Sequence, residues 1–432
     1  MASFSFGAGN ARKIAGIPLY AAGRLATLVI PRSHDEWVFG CGAGIGDGAL
    51  ALWHVVAGQG HPAVWLVSNE REATDAAALG IPTVPKRSLR GFWRTARART
   101  VVVTHGFGDV NRYAVSGAFV AQLWHGIPLK RIGLDSPETV RPPSVLRGPA
   151  AAVARRALAI MYRGAARRIG VLPAASHLVR GRLESAFGLA DERVPVTGEP
   201  RVDVLSRGSA ATRRSAARDG VREVAGPLEE DSRLVLYAPT WRDGELDPAI
   251  PAPEHWQALV EVLERRDAVL LVRSHPLGAG EYAPPSPTDR VRRLGSDLVP
   301  DVTPLLPGLD ALVTDYSSLA FDASLVPLPT LFLAPDVEEY ARRRGFYGRY
   351  EDAAGEDWCA EWGTLIAQLD AVLGDDAARA ERIARAERLS ARMHAHRDGA
   401  NTDRVYRAIC AGLRRPKKGT RCPVPSERSQ SK

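Results

Sequence analysis

Glu36–Ala57 reads EWVFGCGAGIGDGALALWHVVA: a short β-rich run, a glycine-rich turn, then an apolar run of helical length. Strand, turn and helix in that order make one unit of a parallel α/β sheet, and the rhythm recurs downstream. Ala63–Ser68 (AVWLVS) is the next β-rich run, followed by an Ala-rich helix with Gly80, Pro82 and Pro85 as punctuation. Val101–Thr104 (VVVT) is a continuous apolar run of the kind buried in parallel sheets. A second series opens at Leu234–Ala238 (LVLYA). It continues through a helix at Glu254–Arg266 and strands at Ala268–Arg273, Ala311–Thr314 and Thr330–Leu333. Two such series predict two doubly wound domains, with the ligand in the cleft at the carboxyl ends of the strands.

The 432 residues are 45% hydrophobic and 25% charged, which excludes wholesale disorder and low-complexity architectures. A chain of this length is expected to build two cores. The boundaries predicted are an N-terminal amphipathic segment (1–33), a first domain (34–205), a polar linker (206–230), a second domain (231–412) and a disordered basic tail (413–432). A net charge of +8 calls for an anionic partner. Nucleic acid is disfavoured, because the arginines are dispersed and no recognition motif is present. The four cysteines form no C-x-x-C pair, so a zinc knuckle is absent and the thiols read as reduced. Ala15–Ile30 is interrupted by Pro18 and Arg24 and is too short to span a bilayer. It reads either as a helix packed on the first domain or as an interfacial anchor, with Arg12, Lys13, Arg24 and Arg32 at lipid headgroups. Arg147–Arg168 is a second basic candidate for a membrane contact, with domain packing as the simpler reading. Asp375–Met393, with alternating charges, reads as a solvated surface helix.

The glycines of Gly40–Gly48 miss the spacing of a dinucleotide fingerprint, and no Walker A loop occurs. The densest cluster of chemistry is Gln122–Lys130 (QLWHGIPLK). There Gly126 and Pro128 force a turn beside His125, and Lys130 adds a cation. A histidine placed on such a turn can act as general base on a hydroxyl. His275, followed by Pro276, ends a strand of the second domain beside Arg273. One histidine from each domain facing a shared cleft suits group transfer, one taking a proton and the other meeting phosphate charge. Thr240 and Arg242 follow another strand end. Thr314-Asp315-Tyr316-Ser317-Ser318, with Phe321-Asp322 beyond, offers N-cap residues and freed N–H groups for phosphate. Thr197–Asp203 (TGEPRVD) joins the domains and carries Arg201 to the cleft.

These blocks, in this order, resemble the CDP-glycerol glycerophosphotransferases, which build or prime teichoic-acid-type polymers. Besides Gln122–Lys130 the resemblance rests on Thr197–Asp203, Ala238–Arg242 (APTWR), Ser274-His275-Pro276, Thr314–Asp322 (TDYSSLAFD), Arg344–Tyr347 (RGFY) and Asp398–Arg404 (DGANTDR). It implies a GT-B type fold with two Rossmann-like domains facing a cleft, the donor nucleotide mainly on the second, and no metal or other cofactor. It also implies His125 as the base on the acceptor hydroxyl and His275 at the donor pyrophosphate. Gly126, Lys130, Arg201, Thr240, Arg242, Thr314, Asp315, Ser317, Ser318 and Asp322 would bind substrate. The partners implied are a CDP-alditol donor, a lipid-linked or polymeric acceptor and the anionic cytoplasmic face of the membrane. A GT-B glycosyltransferase using a nucleotide sugar is the neighbouring reading. Two departures stand out: Ile127 replaces the usual threonine, and 348–362 (GRYEDAAGEDWCAEW) lacks the usual proline-glycine-proline run.

Overall fold

In the computed structural model, residues 16–142, 146–240, 242, 247–274 and 282–414 are described. Two parallel sheets form the framework. The first contains β1 (Trp37–Phe39), β2 (Ala63–Val67), β3 (Thr83–Pro85), β4 (Thr100–Val103), β5 (Phe119–Gln122) and β6 (Ile169–Val171), in the spatial order β3-β2-β1-β4-β5-β6. The second contains β7 (Arg233–Ala238), β8 (Ala268–Val272), β9 (Val291–Arg293), β10 (Ala311–Thr314) and β11 (Thr330–Phe332), in the order β11-β10-β7-β8-β9. Counted from its own first strand, each sheet has the doubly wound order 3-2-1-4-5, so each has a crevice where the order reverses, between its first and fourth strands. Valines of β4 and leucines of β7 are wholly buried, as expected for strands covered on both faces.

Three segments fold differently from their sequence expectation. The polar stretch 206–230 contains the 16-residue helix Ala210–Ala225, capped by Ser209. It buries Ala217 and Val221, and Ala217 lies against Gly308 of the turn Thr303–Gly308. Buried Arg218 donates to the carbonyls of Glu230 and Ser232. The stretch is therefore part of the second domain, its apolar stripe being hidden among arginines.

The last helix, Asn401–Arg414, leaves the second domain and returns to the first, burying Val405 and Ile409 in the core of Trp37, Trp53 and Trp65. Tyr406 stacks on Trp37 and bonds His61 at 2.7 Å. The helix Asp376–Met393 is solvated on one face only; Arg382, Ala386, Ser390 and Met393 are buried.

Ala15–Ile30 contains the helix Ile17–Val29, one side of which packs on the first domain. Gly23 abuts the Tyr113 carbonyl and Tyr20 packs edge-on against Tyr113, while Leu19, Leu25, Leu28 and Val29 stay exposed. Among the described residues no helix is long and apolar enough to cross a membrane. The expected basic tail lies beyond Arg414, outside the described residues, as do Arg12 and Lys13.

The chain crosses between domains at two motifs that lock together. The buried Asp203 carboxylate accepts from the backbone N–H of Asn401 and Thr402 (2.9 and 2.8 Å) and from the Thr402 hydroxyl (2.6 Å), capping the returning helix. Gly198 is obligatory there: its φ is +77°, and a Cβ would overlap the Asn401 amide. Arg404 pairs with Asp398, which closes the second motif on itself. Removing the cap leaves buried donors unmet, so Asp203→Ala should lower stability by about 2–4 kcal/mol. Urea unfolding measures this; an unchanged midpoint would contradict the assignment.

Candidate active site

His125 follows β5 directly, in a loop that departs from ordinary backbone. Trp124 has φ +65° and Gly126 φ +117°. The left-handed tryptophan is held by edge-on packing against Phe187 at 5.2 Å. The His125 ring then lies between two others, Trp124 at 4.2 Å and His105 at 4.1 Å, the latter within 2° of parallel. Its Nδ1 lies 3.4 Å from the Thr104 carbonyl, which also accepts from the Gln122 amide at 2.8 Å. This orients Nδ1–H inward and leaves the Nε2 lone pair to accept a proton. Burial, reinforced by His105, Arg201 and Lys130, pushes the His125 pKa well below the usual histidine range. An uncharged imidazole is the form a general base needs.

The turn that carries His105 accounts for the glycine-rich loop. Asp109, in the turn Phe107–Asp109 that follows β4, accepts from the backbone N–H of Thr104, His105 and Gly106. A Cβ on Gly40 would strike the Asp109 carbonyl at 2.3 Å, and one on Gly42 would strike the His105 ring at 2.5 Å. These glycines make room for another strand's turn rather than for a dinucleotide.

In the second domain the motif residues converge at the ends of β7 and β10. Asp315 accepts from Thr240 N–H at 2.9 Å and from Arg242 at 2.9 Å. The other edge of Arg242 grips Asp336 with two bonds of 2.9 Å, over the rings of Tyr316 and Tyr340. The Thr314 hydroxyl donates to the Ala238 carbonyl inside the sheet. Arg242, Asp315 and Thr314 therefore have their polar groups engaged within the protein, where the sequence reading assigned them to substrate. Burial and mutual pairing make them the frame of the site. Two kinds of donor remain beside this frame. Among the described residues the buried Thr240 hydroxyl has no hydrogen-bond partner, and Ser317 and Ser318 begin the helix Leu319–Ala323.

The domains meet through the same motifs. A Cβ on Gly126 would lie 2.8 Å from the Ser318 hydroxyl, so Gly126 lets the histidine loop reach the serine pair. Lys130 bonds the Tyr340 hydroxyl at 3.1 Å. The backbone pairs Arg131 with Gly345 and Tyr347 with Leu129 across the RGFY motif. Arg201 is mostly buried: it bonds Asp47 of the first domain at 3.1 Å, Thr303 of the second at 3.0 Å, and Asp322. Arg201, Asp322 and Lys130 thus appear as interdomain contacts, a role that sequence reasoning had given to ligand. Glu199 lies in this cluster with one carboxyl oxygen unpartnered, and burial pushes its pKa up to about 8.

His275 and Pro276 lie outside the described residues. Arg273 beside them bonds the carbonyls of Val299 and Pro300. Cys41, Asp47 and His105 bring one donor atom each within 4.8 Å of one another, a set that zinc accepts. These donors are already engaged. Asp47 holds Arg201 and Gly48 N–H, the Thr104 hydroxyl lies between the Cys41 sulfur and His105, and burial raises the thiol pKa against the thiolate a metal requires. The cluster is a hydrogen-bond network. His105 itself escaped the sequence reading; a histidine followed by glycine at a strand end, as in W-H-G, was the available signal.

Comparison with known proteins fits this arrangement. The family model of CDP-glycerol:poly(glycerophosphate) glycerophosphotransferases matches residues 48–411. The teichoic acid glycerol-phosphate transferase of Staphylococcus aureus is 29% identical over 280 residues, 63% of this chain and 66% of that protein. The teichoic acid ribitol-phosphate polymerase TarL of the same organism is 28% identical over 190 residues, 43% of this chain and 32% of that protein. The chain thus spans at most about two thirds of these relatives. The wall teichoic acid polymerase TagF superposes with a TM-score of 0.72 at 21% identity, covering 96% of this chain and 98% of the TagF chain. The fold is accordingly GT-B type, two Rossmann-like domains closing on a cleft. With the ordered motifs meeting at that cleft, the chain belongs to the CDP-glycerol:poly(glycerophosphate) glycerophosphotransferase family.

Proposed function

We propose that this chain transfers glycerol phosphate, or a related alditol phosphate, from a CDP-alditol to an acceptor hydroxyl of a teichoic-acid-type polymer or its lipid-linked primer. The acceptor oxygen bonds to the β-phosphorus as the bond from that phosphorus to the bridging oxygen breaks. The acceptor proton passes to His125 Nε2, and the electron pair leaves with CMP. The observation that carries this reading is the contact of the His125–Gly126 turn with Ser318 across the cleft. It sets a neutral base from one domain beside the hydroxyl and N–H donors of the other.

Phosphoryl transfer asks mainly for positioning and charge stabilisation. In this reading the Thr240 hydroxyl, Ser317 and Ser318 meet the donor phosphates, and His275, assigned on its motif alone, meets the pyrophosphate. Arg242 and Arg201, each matched by two carboxylates, hold these donors in place, and Lys130 adds a cation on the histidine loop.

Access to a lipid-linked acceptor follows from two helices on the first domain. Ile17–Val29 exposes Leu19, Leu25, Leu28 and Val29, and Gly148–Ala166 exposes Val153, Ile160 and Met161 beside Arg155, Arg156 and Arg163. Burial, and after it the nearby charge of Arg24, lowers the pKa of Arg168, which lies just past the second of these helices. Apolar side chains ringed by arginine suit peripheral attachment to an anionic membrane surface.

His125→Asn should reduce CMP release from CDP-glycerol roughly a hundred- to ten-thousand-fold, with the circular dichroism spectrum and thermal protection by the donor retained. Wild-type turnover in that variant would overturn the assignment of the base. A Leu25→Glu/Leu28→Glu double variant should bind phosphatidylglycerol vesicles about tenfold more weakly while keeping its turnover on a soluble acceptor. Equal vesicle binding would contradict the membrane reading.

A further inference from the structure

His105 belongs to none of the motifs that mark the family resemblance, yet its ring touches the base. It is fixed from three directions. Its backbone N–H is held by Asp109 at 2.7 Å, its Nδ1 lies 2.8 Å from the Thr104 hydroxyl, and the bare Gly42 backbone presses on its ring. A ring so anchored cannot swing aside. It forms a floor, parallel to His125 at 4.1 Å.

We propose that His105 is a positioning residue for the transfer, orienting the His125 ring and barring two protons from the pair. The proposal rests on the reading of His125 as the base. Two imidazolium charges at this separation repel strongly, so a proton on one ring opposes a second on the other. The groups packed against the two rings differ. Asp47, from the start of the helix Asp47–Gly58, and Asp109, from the turn after β4, lie on the His105 side with the Cys41 thiol. Arg201, from the interdomain segment, and Lys130, from the histidine loop, act on His125 and oppose its protonation, as does its burial. When His125 takes the acceptor's proton, a neutral His105 offers the face of an aromatic ring to the new cation.

Two variants separate these roles. His105→Phe keeps a ring beneath His125 but removes the second titrating group; His105→Ala removes both. NMR titration of the His125 ring, assigned by its disappearance in His125→Asn, should show its pKa rising by about one pH unit or more in His105→Phe relative to wild type. At about pH 8, kcat for CMP release should fall roughly tenfold or more in His105→Ala and clearly less in His105→Phe, with KM for the donor unchanged in both. Superimposable His125 titrations in wild type and His105→Phe, or an alanine variant as active as the phenylalanine one, would overturn the proposal. The titration needs no substrate, so it stays readable even if the chain fails to release CMP from CDP-glycerol.

Discussion

The guanidinium of Arg201 joins the two halves of the molecule. It is buried where the strand ends of both sheets converge, with Asp47 on one side and Asp322 and Thr303 on the other. A buried cation without partners costs several kcal/mol, so the domains are most stable where both carboxylates reach it together. Burial opposes its charge, and the surrounding carboxylates outweigh that effect and hold the cation firmly. Asp47 takes a left-handed backbone (φ +58°) to make this contact, a local strain of about 1–2 kcal/mol that the pairing offsets. Glu199, its pKa raised to about 8, adds little negative charge to the cluster at neutral pH. Once Arg201 is in place, the other contacts across the cleft fall into register: Gly126 under Ser318, Lys130 on Tyr340, and Leu129–Arg131 beside Gly345–Tyr347.

This constraint divides the motif residues by role. Arg242, Asp315 and Asp336 brace the second domain, and Asp203 fastens the returning helix to the interdomain segment. Their charges are matched inside the protein. Among the described residues, what remains for chemistry is small and mostly neutral: one imidazole, three hydroxyls and the N–H groups beside them. A site built this way positions its substrates by fixed, mostly neutral hydrogen-bond donors.

Much of the fold was legible because parallel strands are apolar runs between turns, and Trp37–Phe39, Ala63–Val67, Thr100–Val103 and the main strands of the second sheet all announce themselves so. The edge and connecting strands were harder. Thr83–Pro85, Ile169–Val171 and Val291–Arg293 are three residues long, and Phe119–Gln122 runs straight into the histidine motif. The histidine turn was readable because its glycine and proline are local to His125. His105 offered only the same local histidine–glycine pair, because its place against Gly42 arises only when β1 and β4 pair. The distinction between ligand-binding and bracing arginines was likewise hidden, since a guanidinium reads the same in sequence whichever carboxylate or phosphate it meets.

The account stands on attack at the phosphorus that carries the alditol. Its most direct test is mass spectrometry of the products formed from CDP-glycerol bearing heavy oxygen on the non-bridging positions of the β-phosphate. The account predicts heavy label in the new phosphodiester of the acceptor and light CMP as the released nucleotide. Release of labelled CDP, leaving an unlabelled acceptor, would mean attack at carbon and would contradict it.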